Sequence, residues 1–128
     1  MNYLLDTHVV LWAAFDSARL PRQAAAILNS TSNTLWFSVA SLWEVTIKRA
    51  LERPDFQVDT SVLRAGLLTN GYEELVVDGR HCLTLSTLPA LHGDPFDRML
   101  VAQAASEGLT LLTADKMVAR YPGPVQLI

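Results

Sequence analysis

Apolar positions along this chain fall into short runs separated by longer stretches with helical spacing. The run "YLL" at 3–5 is too short for a helix and reads as a buried strand. "HVVLWAAF" and "LPRQAAAILNS" predict two helices, and "LWFSV" at 35–39 predicts a second strand. "SLWEVTIKRALE" at 41–52 is strongly helical in pattern. It is stopped by Arg53-Pro54, because the residue before a proline is steered out of the helical region. "TSVLRAGLLTNG" predicts a helix ending at Gly71, which suits the left-handed turn after a helix. "EELVV" at 73–77 reads as a third strand, "GRHCLTLSTLPAL" as a helix and turn, and "DPFDRMLVAQAASEG" as a helix closed by Gly108. "LTLLT" at 109–113 and the closing "VQLI" complete five strands.

Strands that alternate with helices pair in parallel, with helices covering both faces of the sheet. The pattern therefore predicts an α/β fold: a central, mostly parallel five-stranded sheet flanked by helices, in one domain spanning 1–128. Such a sheet places the carboxyl ends of its parallel strands on one edge, where open α/β sheets bind their ligands.

The acidic residues gather at that edge. Asp6 follows the first strand, and Asp115 follows the fourth by one residue in "LTLLTADK". Asp94 and Asp97 open the helix leading into the fourth strand, and Glu44 lies early in the helix after the second. Each has an ordinary structural explanation. Asp94 before Pro95 is a good N-cap with proline at the first helical position. Asp6 and Asp115 suit caps as well. Glu44 fits a capping box with Ser41, or an ion pair with Lys48. Asp97 is harder to dismiss, because positions 97, 100, 101, 104 and 108 share one helix face and read Asp, Leu, Val, Ala, Gly. Caps also do not explain why all these acids sit on the same rim. Carboxylates crowded in this way need either protons or a cation, and oxygen-only donors suit a hard ion such as Mg²⁺ or Mn²⁺.

Composition narrows the reading. Half of the residues are apolar and 18% are charged, which excludes a disordered chain. The net charge of −3 leaves no general basic surface, so a nucleic acid would need a local patch. Arg98 and Lys116 each follow an acid by one residue, and Lys48 and Arg49 lie on the Glu44 helix, so these cations are the candidates for substrate contact. Cys82 is the only cysteine, which excludes an internal disulfide and is expected to be packed in a helix. His81 is expected at the surface near a helix start. His8 and His92 lie beside acids and are within reach of substrate or a carboxylate, or serve ordinary loop packing. With no basic leader and no long apolar span, a cytoplasmic protein is expected.

Taken together, "LLDTHVVLW", "SVASLWEVTIK", "HGDPFDRMLVAQA" and "LLTADK" resemble the four sequence blocks of PIN domains, in order, in spacing and over essentially all 128 residues. The chain is more narrowly similar to the VapC-type toxins of prokaryotic toxin–antitoxin pairs. The resemblance implies a metal-dependent endoribonuclease that hydrolyses RNA phosphodiester bonds with Mg²⁺ or Mn²⁺. It implies an acidic quartet of Asp6, Glu44, Asp97 and Asp115, with Asp94 as an additional acid. Asp6 and Asp97 are expected as direct metal ligands with Asp115 adjacent, and Glu44 as a ligand through water or as the group orienting the nucleophile. Thr7 and Thr113 carry hydroxyls beside two of the acids. The resemblance also implies a homodimer and a cognate VapB-type antitoxin, while transfer, ribosomal and messenger RNA all stay open as targets. Two other readings compete. A signalling receiver domain would need paired acids after the first strand and a lysine after the fifth, and this chain has neither. A catalytically silent binding module for RNA or antitoxin would not require the complete quartet.

Overall fold

The computed structural model describes residues 1–51, 54 and 57–128. Five strands are present: β1 (Asn2–Leu5), β2 (Thr34–Ser38), β3 (Glu73–Leu75), β4 (Thr110–Thr113) and β5 (Val125–Leu127). Six α-helices connect them: α1 (Thr7–Phe15), α2 (Arg22–Asn29), α3 (Val39–Ala50), α4 (Thr60–Thr69), α5 (Gly79–Leu85) and α6 (Pro95–Glu107). The sheet order is β3-β2-β1-β4-β5, and every pairing is parallel. Two crossovers, through α1 and α2 and then through α3 and α4, step outward from β1 to β3. The crossover through α5 and α6 returns past β1 to β4. The order therefore reverses between β1 and β4, and open α/β sheets bind their ligands beyond the carboxyl ends of the strands at such a reversal.

The alternation of side chains along β1 divides the core into two layers. Tyr3 and Leu5 face one layer with Phe37, Val9, Val45, Leu63 and Leu112. Leu4 faces the other with Leu100, Val101, Ala104 and Leu111. Burial on both faces is why these strands read as continuous apolar runs rather than as alternating ones. No helix among the described residues is long and apolar enough to cross a membrane.

The predicted elements are present, with shifted ends that have local causes. Val39 was expected to finish β2 but instead begins α3, because the Ser38 hydroxyl caps the helix by accepting the Ala40 N–H at 3.0 Å. The third strand stops at Leu75 rather than at residue 77: the Val76 carbonyl accepts a bond from Gln103 Nε2 instead of a strand partner. Gly71 and Gly108 follow α4 and α6 with φ of +85° and +70°, as expected of glycines after helices. The expected helix end at Glu52 and the stop at Arg53 lie outside the described residues. On α5 the expected orientations are reversed, with His81 fully buried and Cys82 exposed.

Candidate metal centre

Asp6 stands directly after β1 and caps α1. Its Oδ1 accepts the Val9 N–H at 3.0 Å, and its Oδ2 accepts the Thr113 hydroxyl from the end of β4. Thr113 Oγ1 also accepts the Asp115 N–H at 3.0 Å. One buried threonine thus ties together the two acids that flank the strand-order reversal. Asp6 is only 4% exposed, and burial raises its pKa above the ordinary carboxylate value, with the nearby Asp115 charge adding to the rise.

Glu44 reaches the same rim from α3 and is also buried. It does not close a capping box with Ser41, since the helix begins earlier at Ser38. Instead Thr7 Oγ1 donates to Glu44 Oε1 at 2.7 Å and lies 2.9 Å from Ser41 Oγ. Lys48 Nζ lies 2.8 Å from Glu44 Oε2, one helical turn on. The charge of Glu44 is therefore already balanced from within α3.

The two aspartates at the start of α6 divide their duties. Asp94 Oδ1 caps the helix, accepting the N–H groups of Phe96 at 2.9 Å and Asp97 at 3.0 Å, with Pro95 at the first helical position. Asp97 leads the buried stripe of Leu100, Val101 and Ala104. Burial pushes its pKa up to about 6, and the charges of Asp94, Glu44 and Asp6 push the same way. His92 opposes the rise through a 2.9 Å contact between its Nε2 and Asp97 Oδ2. Ligand atoms of His92, Asp97 and Asp115 all lie within 4.8 Å of one another.

The structure thus gathers Asp97 and Asp115 most tightly, with Asp6 and Glu44 close enough for their charges to be felt and Asp94 engaged as a cap. His92 is the member that residue patterns left undecided, because it sits in a loop with no periodicity to orient it. The cations expected to meet substrate are differently placed. Lys48 is paired with Glu44, and Lys116 is exposed beside Asp115. Arg98 turns away to donate to the Pro89 carbonyl and the Tyr121 hydroxyl, each at 2.9 Å.

This donor set fits a divalent cation. Three acids (Asp6, Asp97 and Asp115) lie close enough to feel one another's charge, two of them with pKa values raised by burial, so positive charge placed among them would stabilise the ionised forms. Hard carboxylate oxygens are the ligands that Mg²⁺ and Mn²⁺ prefer.

An all-parallel sheet whose order reverses at β1 and β4, with carboxylates from four segments at that reversal, defines an α/β domain with an acidic rim. The sequence profile of the PIN domain matches residues 3–124, and the chain belongs to the PIN domain family. No curated protein matches it in sequence. Among solved structures, it is similar to a chain in the crystal structure of VapBC2 from Rickettsia felis bound to a DNA fragment from their promoter. That similarity has 18% identity and a TM-score of 0.74, covering 100% of this chain and 99% of the other. A chain of DNA-bound VapBC from Salmonella typhimurium is similar at 20% identity and a TM-score of 0.71, covering 98% and 97%. For VapBC-5 from Mycobacterium tuberculosis the values are 22% and 0.55, covering 99% and 97%.

Proposed function

We propose that this protein is a metal-dependent endoribonuclease acting as the toxin of a VapBC-type toxin–antitoxin pair. The observation that carries the reading is the convergence of Asp6, Asp97 and Asp115, with Glu44 beside them, at the carboxyl edge of a PIN-domain sheet. The similarity to chains of VapBC crystal structures supports the toxin role and a VapB-type antitoxin as partner. The resemblance to VapC-type toxins extends the reading to a homodimer.

In this mechanism Asp6, Asp97 and Asp115 would hold Mg²⁺ or Mn²⁺, and Thr113 fixes the orientation of Asp6. The ion, when bound, lowers the pKa of a water and neutralises charge on the phosphate. Glu44, held by Thr7 and Lys48, orients the attacking water at the rim. Lys116 offers a phosphate contact beside Asp115, and Lys48 adds positive potential from α3. Arg98 contributes less directly, since its guanidinium is engaged with Pro89 and Tyr121.

The test is cleavage of end-labelled total tRNA and rRNA by antitoxin-free protein with Mg²⁺, with Mn²⁺ and with EDTA, beside Asp97→Asn. Discrete products that require metal and fall about 10²–10³-fold in the variant are expected, the size of a lost electrostatic contribution of several kcal/mol. Cleavage that persists in EDTA, or at the wild-type rate in Asp97→Asn, would overturn the assignment. Tight RNA or antitoxin binding without turnover in any metal would instead identify a silent binding module.

A further inference from the structure

We infer that His92 is a nitrogen ligand of the rim, making this a mixed imidazole–carboxylate site selective for Mn²⁺ over Mg²⁺. The inference rests on the cation-binding reading above and adds a residue and a metal preference to it. The geometry is specific. His92 Nε2 points at Asp97 Oδ2 from 2.9 Å, and both side chains come within 4.8 Å of an Asp115 carboxylate oxygen. In the metal-free site Nε2–H donates to Asp97 Oδ2; an ion seated among these groups would take Nε2 as a ligand, with the proton moved to Nδ1 through solvent.

The loop carrying His92 is braced at Pro89 and at His92 itself. Tyr121, itself buried, donates its hydroxyl to the His92 carbonyl at 3.2 Å. Arg98 Nη1 donates to the Pro89 carbonyl and to the same Tyr121 hydroxyl, with its guanidinium carbon 5.9 Å from the tyrosine ring centre. A loop that only linked α5 to α6 would not need two tethers anchored on a buried tyrosine. They fix the imidazole against Asp97, which is how a ligand is preorganised before its metal arrives.

The chemical consequence is a choice between ions. Mg²⁺ binds oxygen donors and gives up its waters reluctantly, whereas Mn²⁺ is the softer of the two and accepts imidazole nitrogen more readily. An all-carboxylate rim would bind both ions through the same oxygens. A rim with His92 in it gains affinity for Mn²⁺ specifically.

The experiment is electron spin-echo spectroscopy of Mn²⁺ bound to the antitoxin-free protein, with Mn²⁺ and Mg²⁺ affinities measured by titration on the wild type, His92→Gln and His8→Gln. Wild-type protein is expected to show ¹⁴N modulation from a coordinated imidazole, lost in His92→Gln and kept in His8→Gln. His92→Gln is expected to weaken Mn²⁺ binding about 10–100-fold and Mg²⁺ binding by about threefold at most. Circular dichroism of each variant shows whether the fold is kept. Bound Mn²⁺ without ¹⁴N modulation, or equal losses for both ions, would overturn the role of His92 while leaving the carboxylate site intact. Absence of saturable Mn²⁺ binding to folded wild-type protein would overturn both readings.

Discussion

Among the described residues, two clusters bring an aspartate, a histidine and a second acid within 4.8 Å: His92, Asp97 and Asp115 at the sheet edge, and Asp78, His81 and Glu107 where α5 meets the end of α6. The same distance bounds both, yet their chemistry differs. In the second cluster the Asp78 N–H donates to His81 Nδ1 at 3.0 Å, so that nitrogen carries no proton. The proton is on Nε2, which lies 2.8 Å from Glu107 Oε1 and donates to it. Both nitrogens are occupied, and Arg80 bridges Glu107 at 2.6 Å and Asp78 at 3.0 Å. One guanidinium thus answers two carboxylates, and the histidine completes a capping box that latches α5 onto α6. At the rim, Asp6, Asp97 and Asp115 have two imidazoles beside them, His8 near Asp6 and His92 on Asp97, and among the described residues no guanidinium bridges them, while Lys48 is paired with Glu44. Proximity of ligand atoms does not make a metal site; negative charge left unbalanced by its neighbours does.

The sharpest way to break this comparison is to ask which cluster responds to metal. Mn²⁺ at a hundredfold excess over its Kd is expected to stabilise the wild type by about 2.7 kcal/mol, by mass action on the folded state alone. Asp6→Asn is expected to abolish most of that gain, and Glu107→Gln to keep it in full. Thermal melts with and without Mn²⁺ measure both. A stabilisation that survives Asp6→Asn and vanishes in Glu107→Gln would exchange the roles of the two clusters.

A second variant separates them by stability. His81→Ala removes a fully buried side chain, leaves the Asp78 N–H without its acceptor and Glu107 with Arg80 alone, and opens a gap under α5. The expected cost is about 2–3 kcal/mol in urea unfolding. The Mn²⁺-induced stabilisation should be unchanged. A metal response that fell together with the stability would mean that the latch and the rim are coupled through α6.

Residue patterns revealed much of this and missed some of it for physical reasons. The strand and helix alternation was legible because a parallel sheet covered on both faces needs continuous apolar runs, as in Leu4–Leu5 and Leu111–Leu112. Asp97 was legible because it interrupts the face that carries Leu100, Val101 and Ala104. His81 and Cys82 were assigned to the wrong sides because they are neighbours on a short helix whose facing is set by long-range bonds to Glu107, invisible to local periodicity. The brace of Arg98 and Tyr121 spans 23 residues and leaves no spacing signal either. The Asp6–Thr113 link spans 107 residues, and only the strand order brings its ends together.

The smallest expected effect concerns the charge that the rim carries without metal. An unfolded aspartate titrates near its ordinary value of 3.8, whereas Asp97 in the fold is pushed up to about 6. The folded state therefore holds this proton more tightly, and the group favours folding below about pH 4. That contribution is lost as the pH rises through about 6, where burial and the charges of Asp94, Glu44 and Asp6 act against the ionised form. Asp97→Asn removes the penalty. Metal-free variant and wild type are expected to be equally stable near pH 4, and the variant more stable by about 1–2 kcal/mol at pH 8, a figure reduced for the partial exposure of the side chain. Unfolding curves across pH 4–8 in EDTA measure the difference. A gap that stayed constant with pH would show that Asp97 ionises as an ordinary surface acid, and would remove the unbalanced charge that sets the rim apart from the latch.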